Sequence, residues 1–321
     1  MKHESIIQVG VVGAGVMGQH HLKVYDAQKH VRITAIVDPD MAKAERLARE
    51  YDATAYPSIE ALPSHVVDAV SVCSPSSHHA SAGIHLLSRG IHCLVEKPLA
   101  SSFEEGLQLV EAAKAHNAIL LVGHIERFNP ATIALSDLLP SLGRIQAIHI
   151  DRMGLAGARI LDVGVIHDLM IHDLDILLHL VGESTPKISA KSKGDPAAED
   201  HVSALLTFSS GLFVNITASR ISARKRRCWH VITEQCSIEL DLVAKELTLF
   251  RYPERLGNNY PLQPDYLMQR VHVPKGDALQ SEILHFLDCV EHKERPSVSG
   301  EAGLAALELA LHIQEAVRGQ E

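Results

Sequence analysis

The chain has 321 residues, of which 46% are apolar and 21% charged, proportions of a globular protein with enough chain for about two domains. Thirty Lys and Arg against 39 Asp and Glu give a formal charge of −9, which argues against a nucleic-acid partner, because neutralising phosphates supplies most of that affinity. No run of about 18 apolar residues suggests a membrane span. The five cysteines, odd in number and without a C-x-x-C pair, point away from disulfides and cysteine zinc sites and toward a cytoplasmic protein.

The first 123 residues alternate short apolar runs with amphipathic ones. Strands are expected at Ile6–Val12, Arg32–Val37, Val67–Cys73, His92–Val95 and Ile119–Val122, and helices at Met17–Ala27, Met41–Tyr51, Ala80–Arg89 and Phe103–His116. Such alternation implies right-handed βαβ units and a parallel sheet covered on both faces. The near-signal-like run Ile6–Met17 lacks a cleavage site and enters a glycine-rich turn, so it reads as the first strand.

After Gly123 the pattern changes. A helix follows Asn129-Pro130, then a strand at Ile145–Arg152 and a helix at Val165–Val181. Lys187 opens a stretch of alternating runs, with His201–Phe208 and Leu212–Ser219 joined as a hairpin by Ser209-Ser210-Gly211. Trp229–Thr233, Ser237–Leu242 and Glu246–Phe250 read as further antiparallel strands, Asn258–Pro264 as loop, and Ala278–His292 and Glu301–Val317 as closing helices. The fold class expected is α/β: a Rossmann dinucleotide-binding domain over 1–123, then an α+β domain over 124–321 with an open, mainly antiparallel sheet.

Gly13-Ala14-Gly15-Val16-Met17-Gly18 has the G-x-G-x-x-G spacing between a strand and a helix. Gly13 permits the tight turn, Gly15 admits a pyrophosphate to the backbone, and Gly18 lets helix and strand pack closely. Val16 and Met17 supply amides at the helix start. Asp38 ends the second strand, twenty residues beyond Gly18, where a carboxylate accepts ribose hydroxyls and repels a 2′-phosphate. NAD is therefore expected over NADP; the alternative is a structural turn with a helix-capping aspartate. His20-His21 open the first helix, where one of them would lie near the phosphates.

Glu96-Lys97-Pro98 ends another strand, at the edge where open α/β sheets bind ligands. It reads either as a charged turn or as a device presenting the Lys97 ammonium to stabilise charge on an oxygen. Asp168 and His172 stand four apart, with Asp175 a further turn along. They read as a general base with an orienting carboxylate, as a polar helix stripe, or as a zinc site, which needs more convergent ligands than these. No metal is expected.

The Gly13–Gly18 turn, Ser74-Pro75-Ser76-Ser77-His78-His79, Glu96-Lys97-Pro98 and Asp168–Asp175, in this order, together resemble the glucose–fructose oxidoreductase/inositol dehydrogenase family. The resemblance implies an NAD-dependent dehydrogenase, with Ser74, Pro75 and His79 lining the dinucleotide and Glu96 and Lys97 at the nicotinamide. It places His172 at the catalytic position with Asp168 as its helper, and leaves open which of Lys97 and His172 is the formal base. Ser74 and Ser76 stand where relatives often carry threonine and asparagine. Gly123–Ala131 is similar to the branch acting on UDP-N-acetylhexosamines. That implies oxidation at C3, supply of a keto sugar to an aminotransferase in lipid A assembly, and a homodimer or homotetramer joined through the second sheet. Arg127, Asn129, Arg152, Arg159 and the Arg224–Arg227 run are the candidates to hold a diphosphate, Arg224 and Lys225 first among them. The alternative for the run is a solvated strand edge. Other UDP-hexosamines or hexuronates, a free polyol such as inositol, and a catalytically silent NAD-binding regulator are the competing functions.

Overall fold

Runs such as Val9-Gly10-Val11-Val12 and Leu94-Val95 are buried throughout, as strands covered on both faces must be. The computed structural model describes residues 6–63, 65–155, 163–182, 185–195, 198–252 and 267–319. The expected loop Asn258–Pro264 and Arg159 lie outside them. The chain forms two units, residues 1–125 with 277–308, and residues 126–276 with 309–321.

In the first unit, β1 (Ile7–Val12), α1 (Val16–Asp26), β2 (Val31–Val37), α2 (Met41–Glu50) and β3 (Thr54–Tyr56) make the first half. β4 (Ala69–Val72), α3 (His79–Leu87), β5 (His92–Glu96), α4 (Phe103–Ala115) and β6 (Leu120–Gly123) make the second. All pairings are parallel and the order is β3-β2-β1-β4-β5-β6. The chain reverses its direction of travel between β1 and β4, so a crevice opens beyond their carboxyl ends. Ser102 caps α4 by accepting the Glu105 N–H (3.2 Å), and Asp40 caps α2 through Lys43 N–H (3.1 Å).

The second unit contains α5 (Pro130–Leu138), β7 (Ile145–Leu155) and α6 (Ile171–Val181). Seven further strands follow: β8 (Lys187–Asp195), β9 (Ala198–Thr207), β10 (Phe213–Ser219), β11 (Ile221–Thr233), β12 (Cys236–Asp241), β13 (Glu246–Arg251) and β14 (Leu267–Val271). They form one sheet, β14-β13-β12-β11-β7-β10-β9-β8, antiparallel except for β10 on β7. The expected hairpin is β9–β10, closed by Phe208 N–H to Leu212 O (2.8 Å). Alternate residues Val214 and Ile216 on β10, and Trp229 and Val231 on β11, are buried. The π turn before α6 packs against β10, and α5 against β12 and β13.

The domain boundary differs from the sequence expectation. α7 (Ala278–His292) and the first half of α8 (Gly300–Arg318) belong to the first unit, not to a domain running from 124 to the end. The reason lies at β6, the sheet edge. Val122 N–H donates to Val298 O (3.0 Å), and Leu121 bridges antiparallel to Ser299. At Gly303 a Cβ would stand 2.5 Å from Val122 Cγ2, so only glycine lets α8 come this close. A bare β edge is thereby covered.

Candidate active site

The glycine-rich turn sits where β1 ends. Gly13 has φ +94°, and a Cβ there would lie 2.6 Å from Cys73 O on the neighbouring strand's exit; both facts require glycine. A Cβ on Gly18 would run into Gly13 O, which is the close helix–strand approach expected of it. Gly15 is different: a Cβ there would meet nothing within 4 Å. It occupies the N-cap of α1 without a side chain to accept from the first-turn amides, among them those of Val16 and Met17. An uncapped helix start facing open space suits a phosphate.

Asp38 is buried at the end of β2. Its Oδ2 accepts Ala14 N–H (2.7 Å) and its Oδ1 accepts Asp40 N–H (2.9 Å). Each oxygen keeps a lone pair for a ribose hydroxyl. Helix capping falls to Asp40 instead. Ser74 Oγ, past the end of β4, is buried without a hydrogen-bond partner among the described residues. Pro75 opens the following 3-10 turn. An orphaned hydroxyl, an open glycine and an uncapped helix on one sheet edge fit a dinucleotide laid across it.

At the end of β5, Glu96 is buried, and its Oε2 accepts Lys97 N–H (3.3 Å). Burial pushes Glu96 up, but the His21 hydrogen bond and the Lys97 ammonium outweigh it and hold the carboxyl below its ordinary range. His79 lies between two carbonyls, Nδ1 2.8 Å from Pro98 O and Nε2 2.9 Å from Ser74 O. Burial lowers its pKa, with the carbonyls opposing, and the neutral ring donates to one of them at a time. It ties the Ser74 loop to the Lys97-Pro98 turn. Of the two histidines of which one was expected near the phosphates, His21 is not there. It points into the core and bonds Glu96 (3.1 Å) and Ser71 (2.9 Å), while His20 is exposed.

In the second unit, Asp168 lies in a π turn, Ile166–Met170, and His172 in the first turn of α6. The expected single α-helix from Val165 is therefore interrupted, and the two side chains do not keep strict i,i+4 register. Three arginines expected to meet a diphosphate differ in their fates. Arg152 is 2% exposed and bonds both Asp173 oxygens (Nη2 to Oδ1 at 3.1 Å) and Glu126 Oε1 (3.1 Å). Arg227 reaches the same Glu126 oxygen (3.0 Å), and Trp229 Nε1 donates to Asp173 Oδ1 (2.9 Å). Arg127 pairs with buried Asp175 at 3.4 Å. Asn129 is a structural hinge: it accepts Ala131 N–H to cap α5 and donates to Glu126 and Leu242 O, both at 3.0 Å. Asn129 and Arg152 are thus committed to this interior network and Arg127 to its own pair with Asp175, because a buried guanidinium needs carboxylates more than a ligand does.

Burial pushes Glu126 up, but Arg152, Asn129 and Arg227 together outweigh it and hold the carboxyl low. Burial lifts Asp175 to about 7, against the pull of Arg127. Arg224 and Lys225 are exposed. They lie in β11 ahead of its pairing with β12, which begins at Cys228, and where the register to β7 slips between Ile221 and Arg226. A bulge lifts them out of the ladder. Sequence reasoning missed Ser71, Tyr25, Glu126 and Asp173. The i,i+4 spacing of His21 and Tyr25 on α1 was the one available signal.

The fold and the glycine, Asp38 and Ser74 features define a dinucleotide-dependent oxidoreductase of the doubly wound type. Residues 7–124 match the family model for the oxidoreductase family with an NAD-binding Rossmann fold, and residues 141–239 match the GFO/IDH/MocA C-terminal domain. The chain belongs to this GFO/IDH/MocA oxidoreductase family, and its cofactor is NAD. It is 30% identical over 97% of both chains to UDP-N-acetylglucosamine 3-dehydrogenase of Acidithiobacillus ferrooxidans. It is 26% identical to inositol 2-dehydrogenase of Rhizobium meliloti, over 95% of this chain and 94% of that one. The solved structure of the Acidithiobacillus enzyme superposes with a TM-score of 0.88 at 29% identity, covering 98% of each chain. Among the described residues, no helix is long and apolar enough to cross a membrane.

Proposed function

We propose that this enzyme oxidises the 3-hydroxyl of UDP-N-acetylglucosamine to the 3-keto sugar. The observation that carries this reading is the end-to-end similarity, at 30% identity, to a protein named for that reaction. Gly13, Gly15, Val16, Met17, Gly18 and Asp38 hold the adenosine and pyrophosphate, and Ser74, Pro75 and Glu96 hold the rest, with His79 bracing the Ser74 loop that lines it. NAD, when bound, supplies the acceptor for the hydride that leaves C3. His172 takes the hydroxyl proton, oriented by Asp168, and Lys97 donates a hydrogen bond to the same oxygen as negative charge gathers on it. Alcohol becomes ketone, with one hydride and one proton removed. Arg224 and Lys225 hold the diphosphate. The ketone then passes to an aminotransferase serving lipid A assembly, and the enzyme works in the cytoplasm as a homodimer or homotetramer.

The test is NADH formation with purified protein, NAD and UDP-N-acetylglucosamine, with glutamate and an aminotransferase added to consume the ketone. Signal with the UDP-sugar but not with free N-acetylglucosamine is expected. A flat trace with the UDP-sugar and turnover of inositol would replace this reading with a second one, a free-polyol dehydrogenase, which the inositol dehydrogenase relatives favour.

A further inference from the structure

A complete chain of buried polar groups runs under Glu96, entirely within the first unit. Tyr25 Oη lies 2.7 Å from Ser71 Oγ, Ser71 Oγ 2.9 Å from His21 Nδ1, and His21 Nε2 3.1 Å from Glu96 Oε1. Tyr25, Ser71 and His21 are 0% exposed and Glu96 is 9%. Tyr25 and His21 come from one face of α1, Ser71 from β4, and Glu96 from the end of β5.

Counting donors fixes one end of the chain. An ionised carboxylate only accepts, so His21 Nε2 carries a proton and donates to Glu96. At Nδ1 the ring either accepts from the Ser71 hydroxyl, whose oxygen then accepts from Tyr25, or donates to the Ser71 oxygen; Nε2 holds Glu96 in both arrangements. Burial raises the Tyr25 pKa, so its proton stays in place. An apolar core at these positions would avoid the desolvation cost. What the polar chain adds is direction: it fixes the Glu96 carboxylate from below, while Lys97 N–H fixes its other oxygen from above.

We propose that His21, oriented by Ser71 and Tyr25, is a positioning residue that holds Glu96 in the conformation receiving the nicotinamide half of NAD. The inference rests on the reading that Glu96 and Lys97 lie at the nicotinamide. It assigns to α1 two separate tasks: its first turn meets the phosphates, and its buried face sets the carboxylate beside Lys97. The chain therefore raises the preference for NAD over ADP-ribose without adding grip on the adenosine end.

Calorimetry of NAD and ADP-ribose with the full-length protein tests this without any sugar. In His21→Met, ADP-ribose affinity should stay within about twofold while the NAD preference falls about tenfold. His21→Gln, which keeps a donor for Glu96, should recover most of that preference. Tyr25→Phe and Ser71→Ala should shift it in the same direction by about two- to threefold, and they decide the matter if His21→Met does not fold. Parallel weakening of both ligands, a Gln variant no better than Met, or a lowered melting temperature with the preference unchanged would each overturn the role of His21. A wild-type protein that binds NAD and ADP-ribose equally would overturn the nicotinamide reading itself, and this inference with it.

Discussion

Two regions treat buried polarity in opposite ways, the glycine-turn edge of the first unit and the Arg152 network of the second. The dinucleotide unit leaves openings: Gly15 faces space, α1 starts uncapped and Ser74 Oγ has no partner among the described residues. In the second unit Arg152, Arg227, Glu126, Asp173 and Trp229 Nε1 close on one another in one network. At the glycine-turn edge incomplete satisfaction fits a ligand, whereas the charges of the Arg152 network are spent on the fold. An arginine is therefore a poor guide to substrate unless its exposure is known.

The comparison breaks most sharply at the proposed chemistry. Lys97→Ala and His172→Ala should each lower kcat by about 10²- to 10⁴-fold while calorimetry shows NAD affinity nearly unchanged; normal turnover in both would remove their catalytic roles. Arg152→Met probes the closed network. It leaves buried Asp173 with Trp229 Nε1 but no cation, and Glu126 with only Arg227 and Asn129, and should cost about 3–5 kcal/mol in urea unfolding. If Arg152 served substrate instead, stability would hold and KM alone would rise. Two glycines separate openness from fold. Gly13→Ala should destabilise by about 2 kcal/mol or more, since φ and space both oppose it. Gly15→Ala should leave the urea midpoint unchanged yet weaken NAD about tenfold.

Asp175 gives a pH signature. Its folded pKa of about 7 stands above the ordinary 3.8, so the folded chain retains a proton that the unfolded chain has lost. Stability should thus fall as pH rises from about 4 to about 7, by something of order 4 kcal/mol. Asp175→Asn keeps an acceptor for Arg127 and should flatten that slope in urea titrations across this range. The smallest effect belongs to the bulge: Arg224→Ala with Lys225→Ala should change stability by no more than about 0.5 kcal/mol and raise KM for the UDP-sugar.

The strands of the first unit were legible because burial on both faces makes them continuously apolar, as in Leu120-Leu121-Val122. β3 was missed: three half-exposed residues carry no periodicity. β14 is almost wholly exposed and β8 is mostly exposed and rich in lysine, so neither edge strand announces itself as a buried one does. The start of β11 was hidden by its four consecutive basic residues, which look like a surface loop until the flanking strands are in place. The π turn around Asp168 leaves the pattern of apolar residues intact and so could not be read. Gly13, Gly15, Asp38 and Glu96 were readable because a local strand–turn–helix sets their positions. The partners of Arg152 were not, since Glu126 and Asp173 approach it from distant parts of the chain.

The bond from Val122 to Val298 also bears on the order in which the protein is made. During synthesis from the N-terminus, β6 is complete about 175 residues before the segment that covers its edge. At roughly 5–20 residues per second, a ribosome-bound chain would carry that raw edge for on the order of ten seconds or longer. Its nucleotide-binding unit begins to fold before the segment that completes it has been made. A fragment cut after Gly123 would keep the exposed edge permanently.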